Sequence, residues 1–237
     1  QTYDNYEVLY INDCSTDNTL DKVEKLVGNN SKFKIISNEK NMGATHNYIN
    51  IDDFMDDDEE IIVHLDGDDW LAVPNVLEEL NTFYNENDFW MTYGGFVVWN
   101  GGEETKLPYP QNTEYDSFVH KYNMYRKDLW RASHLRTFKW FLFKNIDKKD
   151  FVSKIDNKLY WHASDLSWSY PALEMCPTDK IGVVDFTTHI YNASEENQVR
   201  TREREHQDNQ KFELEIRNKK RYKTVKRKSD LRGEKLP

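Results

Sequence analysis

In the first ninety residues the apolar positions alternate between two rhythms. Val8, Leu9, Tyr10 and Ile11 form an almost unbroken apolar run, the pattern of a short strand covered on both faces. The cap-forming cluster "CSTDN" follows, and Leu20, Val23, Leu26 and Val27 then repeat at helical spacing, with Gly28 where a helix C-terminus favours glycine. "FKIIS" predicts a second strand, and "NMGATHNYINI" a loop that turns at Gly43 into a helix. "EIIVHLD" predicts a third strand, and Val76, Leu77, Leu80, Phe83 and Tyr84 another amphipathic helix. Strand and helix alternating three times predict an α/β fold with a mostly parallel sheet flanked by helices.

Beyond position 90 the rhythm is less regular. "FWMTYGGFVVW" predicts a strand, a Gly-Gly bend and another strand, and "NGGEETKLPYPQNTEYD" a polar loop. The aromatic stretch "KDLWRASHLRTFKWFLFKNI" reads as helical, and "KIGVVDF" as a late strand. From Ser194 onward the chain is charged and predicted helical, ending in the basic stretch "NKKRYKTVKRK". At 237 residues the chain suits one large domain with an appendage. No apolar run approaches the roughly 20 residues that span a bilayer.

Charge sharpens this picture. A net charge of −10 argues against a polyanionic partner, and so against nucleic acid. The basic end is the exception. It either attracts an anionic membrane surface, at about 1 kcal/mol per residue near the lipid, or is simply a solvated end. Cys14 and Cys176 stand in no metal-ligand spacing and read as two buried thiols or, in the alternative, as one disulfide.

The candidate chemistry lies where strands end. "IIVHLDGDDW" places Asp66, Asp68 and Asp69 within four positions of a buried strand's tip. Two carboxylates about 4 Å apart repel by roughly 1 kcal/mol in water and about 4 kcal/mol at intermediate dielectric. Such a cluster is either a solvated Asp/Gly turn or a site for a hard cation, Mg²⁺ or Mn²⁺. A second acidic cluster, "NDCSTD", ends the first strand, and in α/β folds ligands bind beyond these carboxyl ends. Asp13 there can accept a hydrogen bond from a nucleobase or ribose, while Ser15, Thr16 or Asp17 caps the helix.

Taken in order, "QTYDNYEVLYINDCSTDNT", "NEKNMGATHNYI", "HLDGDDWLAVP", "WMTYGGF", "SHLRTFKWFLFKNI", "ASDLSWSYPALEM" and "HIYN" resemble family 2 glycosyltransferases over most of residues 1 to 192. The resemblance implies a GT-A, Rossmann-like fold. Residues 1–100 would form a nucleotide-sugar half, 101–192 an irregular acceptor half, and 193–237 a charged helical extension. It implies an inverting transfer of a sugar from a nucleoside diphosphate, UDP-hexose above all, to a hydroxyl of a glycan, lipid or protein. Mn²⁺ or Mg²⁺ would assist, and the enzyme would be cytoplasmic or sit at the cytoplasmic face of a membrane.

Carried over by position, Asp13, Asn41, Gly43, Asn47, Asp66, His134 and Arg136 would contact the nucleotide sugar. Asp68 would be the main metal ligand of the DxD motif, with Asp66 and His189 beside it, and Asp165 the general base. Trp161 and His162 would stack on an acceptor sugar or pack internally; Trp70 reads as a core anchor. Asn12, His46 and Ser164 depart from the family's usual Asp, Arg and Glu. The strand and helix with which the family begins are expected ahead of Gln1. Two other readings compete: a sugar-nucleotide- or glycan-binding module without activity, and a nucleotidyltransferase. The latter normally has an early Gly-rich phosphate loop, which is not seen.

Overall fold

The computed structural model describes residues 1–102, 104–105, 113–194, 202–231 and 233–236. β1 (Val8–Asn12) and β2 (Phe33–Ser37) pair in parallel, with Tyr10 opposite Ile35, and α1 (Thr19–Val27) makes the crossover between them. Gly28 ends α1 in a left-handed conformation and returns its N–H to the Glu24 carbonyl. None of the residues of α1 is buried, and Leu26 is 87% exposed. α2 (Ala44–Ile49) follows the Gly43 turn.

Among the described residues, the other strands form two four-stranded sheets. In one, β3 (Ile61–His64), β8 (Arg136–Lys139), β5 (Met91–Tyr93) and β9 (Ile181–Val183) lie side by side in that order. In the other the order is β4 (Trp70–Leu71), β10 (His189–Asn192), β6 (Phe96–Trp99) and β7 (Glu104–Thr105). α3 (Val76–Asn87) buries Val76, Leu80 and Tyr84, the stripe its spacing predicts.

The α/β architecture holds. Pairing is parallel for β1–β2, β5–β9 and β6–β10, and antiparallel for β3–β8, β5–β8, β4–β10 and β6–β7. Short links explain part of the antiparallel share, since a parallel pair needs a crossover of a dozen or more residues. β5 passes to β6 through Gly94 and Gly95, both at positive φ. A Cβ on Gly95 would collide with the Phe186 carbonyl oxygen, so no other residue fits that bend.

The stretch from Lys127 to Ile146 corrects the helical expectation. It leaves a 3-10 turn (Tyr125–Lys127), runs irregularly to β8 and becomes α-helical only in α5 (Trp140–Lys144). β8 is drawn into strand form by partners on both sides, Ile62 and Met91 flanking Phe138. α6 (Ser164–Met175) crosses the middle of the molecule and buries ten residues in succession, Leu166 to Met175. A helix buried on every side belongs inside a fold, and α6 packs against α2, α5 and α7 (Arg202–Arg217).

The charged extension is part of the same core. Phe212, Ile216, Tyr222 and Leu231 join the main apolar cluster. Arg126 makes a two-pronged ion pair with Glu174 of α6, and both are buried. The Tyr222 amide donates to the same carboxylate. The basic end is therefore anchored to the rest of the fold, with Lys223 and Arg227 still exposed at the surface. Lys219 donates to the Asp150 and Val152 carbonyls, Arg221 to those of Tyr122 and Asn123, and Lys223, Arg227 and Lys228 pair with Glu234, Asp230 and Glu59. Residue 103, residues 106–112 of the turn-rich loop and the segment 195–201 lie outside the described residues, and no described helix is long and apolar enough to cross a membrane.

Candidate active site

β3 ends at His64, and the turn that follows folds back through the Asp69 amide donating to the Asp66 carbonyl, 3.1 Å. Opposite His64 in the register stands Arg136 of β8, almost fully buried. Its Nη1 lies 3.3 Å from Asp165 Oδ2, while its Nε has no hydrogen-bond partner among the described residues. Asp165 occupies the first turn of α6, where the helix dipole favours a carboxylate. Asp66 at the "DGDD" strand end and Asp165 in the second half thus both feel the charge of one buried cation.

Electrostatics records the crowding. Burial pushes Asp66 above the usual carboxylate range; Arg136 opposes the shift, and Asp69 and Asp165 add to it. Asp68 is raised by burial and then by Asp69 and Asp66. His64 is pushed down to about 3, by burial first and the Arg136 charge second, so the ring beside Asp66 is neutral. Tyr48 of α2 meets that ring edge-on at 4.9 Å, and burial, Asp66 and Asp165 raise its phenol.

His189 opens β10 and is fully buried. Its Nε2 lies 2.8 Å from Asp69 Oδ2, and Asp69 Oδ1 accepts from the Asn192 amide, also 2.8 Å. His134 stacks on His189 at 4.8 Å and on Tyr191 at 5.3 Å. Burial pushes His134 down to about 2, so it offers a phosphate a neutral ring and no ion pair. Donor atoms of Asp69, His134 and His189 lie within 4.8 Å of one another.

Asp13 organises a second part. Its Oδ1 accepts from the Met42 amide and from Asn38 Nδ2, and its Oδ2 from the Gly43 amide. Against the upward push of burial, these bonds hold its pKa below the ordinary value. Asn38 also donates to Asn47 Oδ1, and Asn41 Oδ1 accepts from the Gly43 amide. Asp13, Asn41, Gly43 and Asn47, four of the seven residues expected at the nucleotide sugar, are therefore joined through Asn38 and the Gly43 amide in one hydrogen-bonded group. Trp161 joins this group to the other carboxylates. A Cβ on Gly43 would stand 2.9 Å from its ring, and Thr45 hydrogen-bonds the neighbouring Tyr160 carbonyl at 2.5 Å. Asp165 follows four residues later.

Trp161 is 54% exposed, and His162 stacks on Phe212 of α7. Trp70, expected as a core anchor, is 38% exposed and meets Trp99 edge-on. β4 is only two residues long and edges its sheet, which leaves that indole half in solvent. Cys14 and Cys176 are both free. Sequence reasoning gave no role to His64 or Tyr48, and to Asp69 only membership of the acidic cluster. A histidine inside the apolar run "IIVHL" was the one available signal.

The sequence profile described as "Glycosyl transferase family 2" matches residues 1–151. A Haemophilus influenzae protein described as an uncharacterized glycosyltransferase is 34% identical over 98 residues, 41% of this chain and 29% of that protein. Among solved structures, S. aureus TarS 1-349 in complex with UDP superposes with a TM-score of 0.51 at 18% identity, covering 81% of this chain and 52% of that one. Its UDP-GlcNAc complex gives 0.50 at 19%, covering 80% and 50%. The chain thus spans under a third of the curated relative and about half of the solved structures, and the latter likeness is one of fold.

Proposed function

The chain belongs to glycosyl transferase family 2, and from that premise we propose that it transfers a sugar from a nucleoside diphosphate to an acceptor hydroxyl with inversion. The convergence of Asp66 and Asp165 on Arg136 carries this reading. It brings a strand-end carboxylate cluster and a separate carboxylate within reach of one substrate. UDP-sugar is the preferred donor, supported by the fold shared with a UDP-GlcNAc-bound neighbour.

The residues fit a divalent cation. Asp66 and Asp68 are crowded carboxylates with raised pKa values, and His189 has a buried Nδ1 without a partner among the described residues. These three would hold the ion, and oxygen donors in the majority favour Mg²⁺ or Mn²⁺. When bound, it supplies positive charge that stabilises the departing diphosphate.

The remaining steps belong to the chain. Asp13 holds the 41–43 loop by accepting its amides and keeps the second lone pair of Oδ2 for the nucleotide. Arg136 orients Asp165, whose carboxylate takes the proton of the acceptor hydroxyl as that oxygen attacks the anomeric carbon. The exposed face of Trp161 receives the acceptor beside it.

The test is a screen of sugar nucleotides for hydrolysis and transfer by the full-length protein, with Mn²⁺ and with chelator. Turnover of one UDP-sugar that stops on chelation supports the proposal. UDP binding without turnover of any donor would identify a binding module instead.

A further inference from the structure

Asp69 lies in the acidic cluster and within 4.8 Å of donor atoms of His134 and His189, yet both of its oxygens are already engaged by the chain. The side chain is 1% exposed, and each oxygen already has a close partner, His189 Nε2 on one side and the Asn192 amide on the other. A carboxylate only accepts, so Nε2 must carry the proton; in the neutral ring Nδ1 then holds the lone pair. That Nδ1 is buried and has no partner among the described residues. A buried acceptor left unsatisfied costs about 1–3 kcal/mol.

We infer that Asp69 is a positioning residue: it fixes His189 as the Nε2–H tautomer and thereby presents Nδ1 to the divalent cation held by Asp66 and Asp68. The inference rests on the cation reading above. A carboxylate that takes the far N–H of a metal-binding imidazole is the common outer partner of such sites, setting both tautomer and ring orientation. Register supports the same division of labour. Ile190 pairs with Trp70, so Asp69 and His189, one residue back on β4's approach and on β10, fall on the opposite face from Trp70. The ring stack of His134 on His189 holds the imidazole plane from the side.

Asp69→Asn is the informative variant. Asparagine retains an oxygen for the Asn192 amide and turns its N–H₂ toward the imidazole. Nε2 must then accept, and the proton moves to Nδ1, where the lone pair had been. Two measurements read this on the purified full-length protein. Nitrogen NMR of the metal-free protein, with His189→Gln to assign the resonance, reports the tautomer. Calorimetry with MnCl₂ alone reports affinity.

The expected result is an Nε2–H tautomer in the wild type, an Nδ1–H tautomer in Asp69→Asn, and a 10- to 100-fold loss of Mn²⁺ affinity. His189→Gln should lose a similar amount, and the double variant little more, because both act through one nitrogen. A wild-type Nδ1–H tautomer overturns the inference and stands as a readout even if the variant does not fold. Unchanged Mn²⁺ affinity in Asp69→Asn, or lost affinity with an unaltered tautomer, also overturns it. Failure of the wild type to bind Mn²⁺ at all removes the cation reading itself, and the ligand role of Nδ1 with it.

Discussion

The Arg136 guanidinium stands 3.3 Å from the Asp165 carboxylate, tying the middle strand pair of one sheet to the first turn of the central helix. Arg136 is buried, whereas Asp165 is one-third exposed, so the cation is fixed and the carboxylate faces the solvent side. This arrangement sets the direction of the proposed chemistry: the acceptor approaches from outside, toward Asp165.

Arg136→Gln should therefore impair turnover more than donor binding. A reacting group displaced by about 1 Å loses on the order of 10²-fold in rate, and a loss of that size in kcat is expected with a much smaller change in donor KM. The same variant leaves Asp66 and Asp165 without their shared cation. Its melting temperature should fall without metal and recover with Mn²⁺ by more than the wild type gains. Unchanged kcat would remove Arg136 from the positioning role.

Trp161→Ala tests the acceptor side. Removing the exposed indole should raise acceptor KM about tenfold, equivalent to about 1.4 kcal/mol, with donor KM nearly constant. Equal loss on both substrates would mean that the indole merely supports the Gly43 loop it packs against.

The extension is tested through Glu174. Replacing it by Gln leaves the buried Arg126 without its counter-charge, which typically costs about 3–5 kcal/mol. Urea unfolding should show that loss as one cooperative transition. Because most of the basic residues from Lys219 to Lys228 have internal partners, vesicles with anionic lipid should retain little of the wild-type protein in a flotation assay.

Lys219 gives a pH signature. Burial holds its pKa at about 8 against an ordinary 10.5, with Asp150 and Glu215 opposing the shift. The unfolded chain binds the extra proton between those values, so stability should rise as pH climbs from about 8 to 10.5. Lys219→Met should flatten that rise in urea midpoints measured across the window. A slope unchanged by the substitution would assign it to other groups.

The difference between what pattern reveals and what it hides follows sequence distance. β1, β2, β3 and α3 are set by local periodicity, and the strand tips "NDCSTD" and "DGDD" could be read directly as a site. β8 could not, because an aromatic-rich run has no decisive period and its strand form comes from β3 and β5, far away in sequence. For the same reason the Asp69–His189 contact, spanning 120 residues, is invisible before folding. The basic stretch misled because composition reports charge and not its partners. Glu174 and Asp150, which receive that segment, are scattered through the middle of the chain.

Asp165→Asn gives the most direct measurement. In the full-length protein with its preferred sugar nucleotide and Mn²⁺, kcat should drop by roughly 10²–10⁴-fold, while UDP affinity by calorimetry stays within about twofold. Near-normal turnover with an amide at position 165 would contradict the assignment of that residue as the base and, with it, the single centre described above.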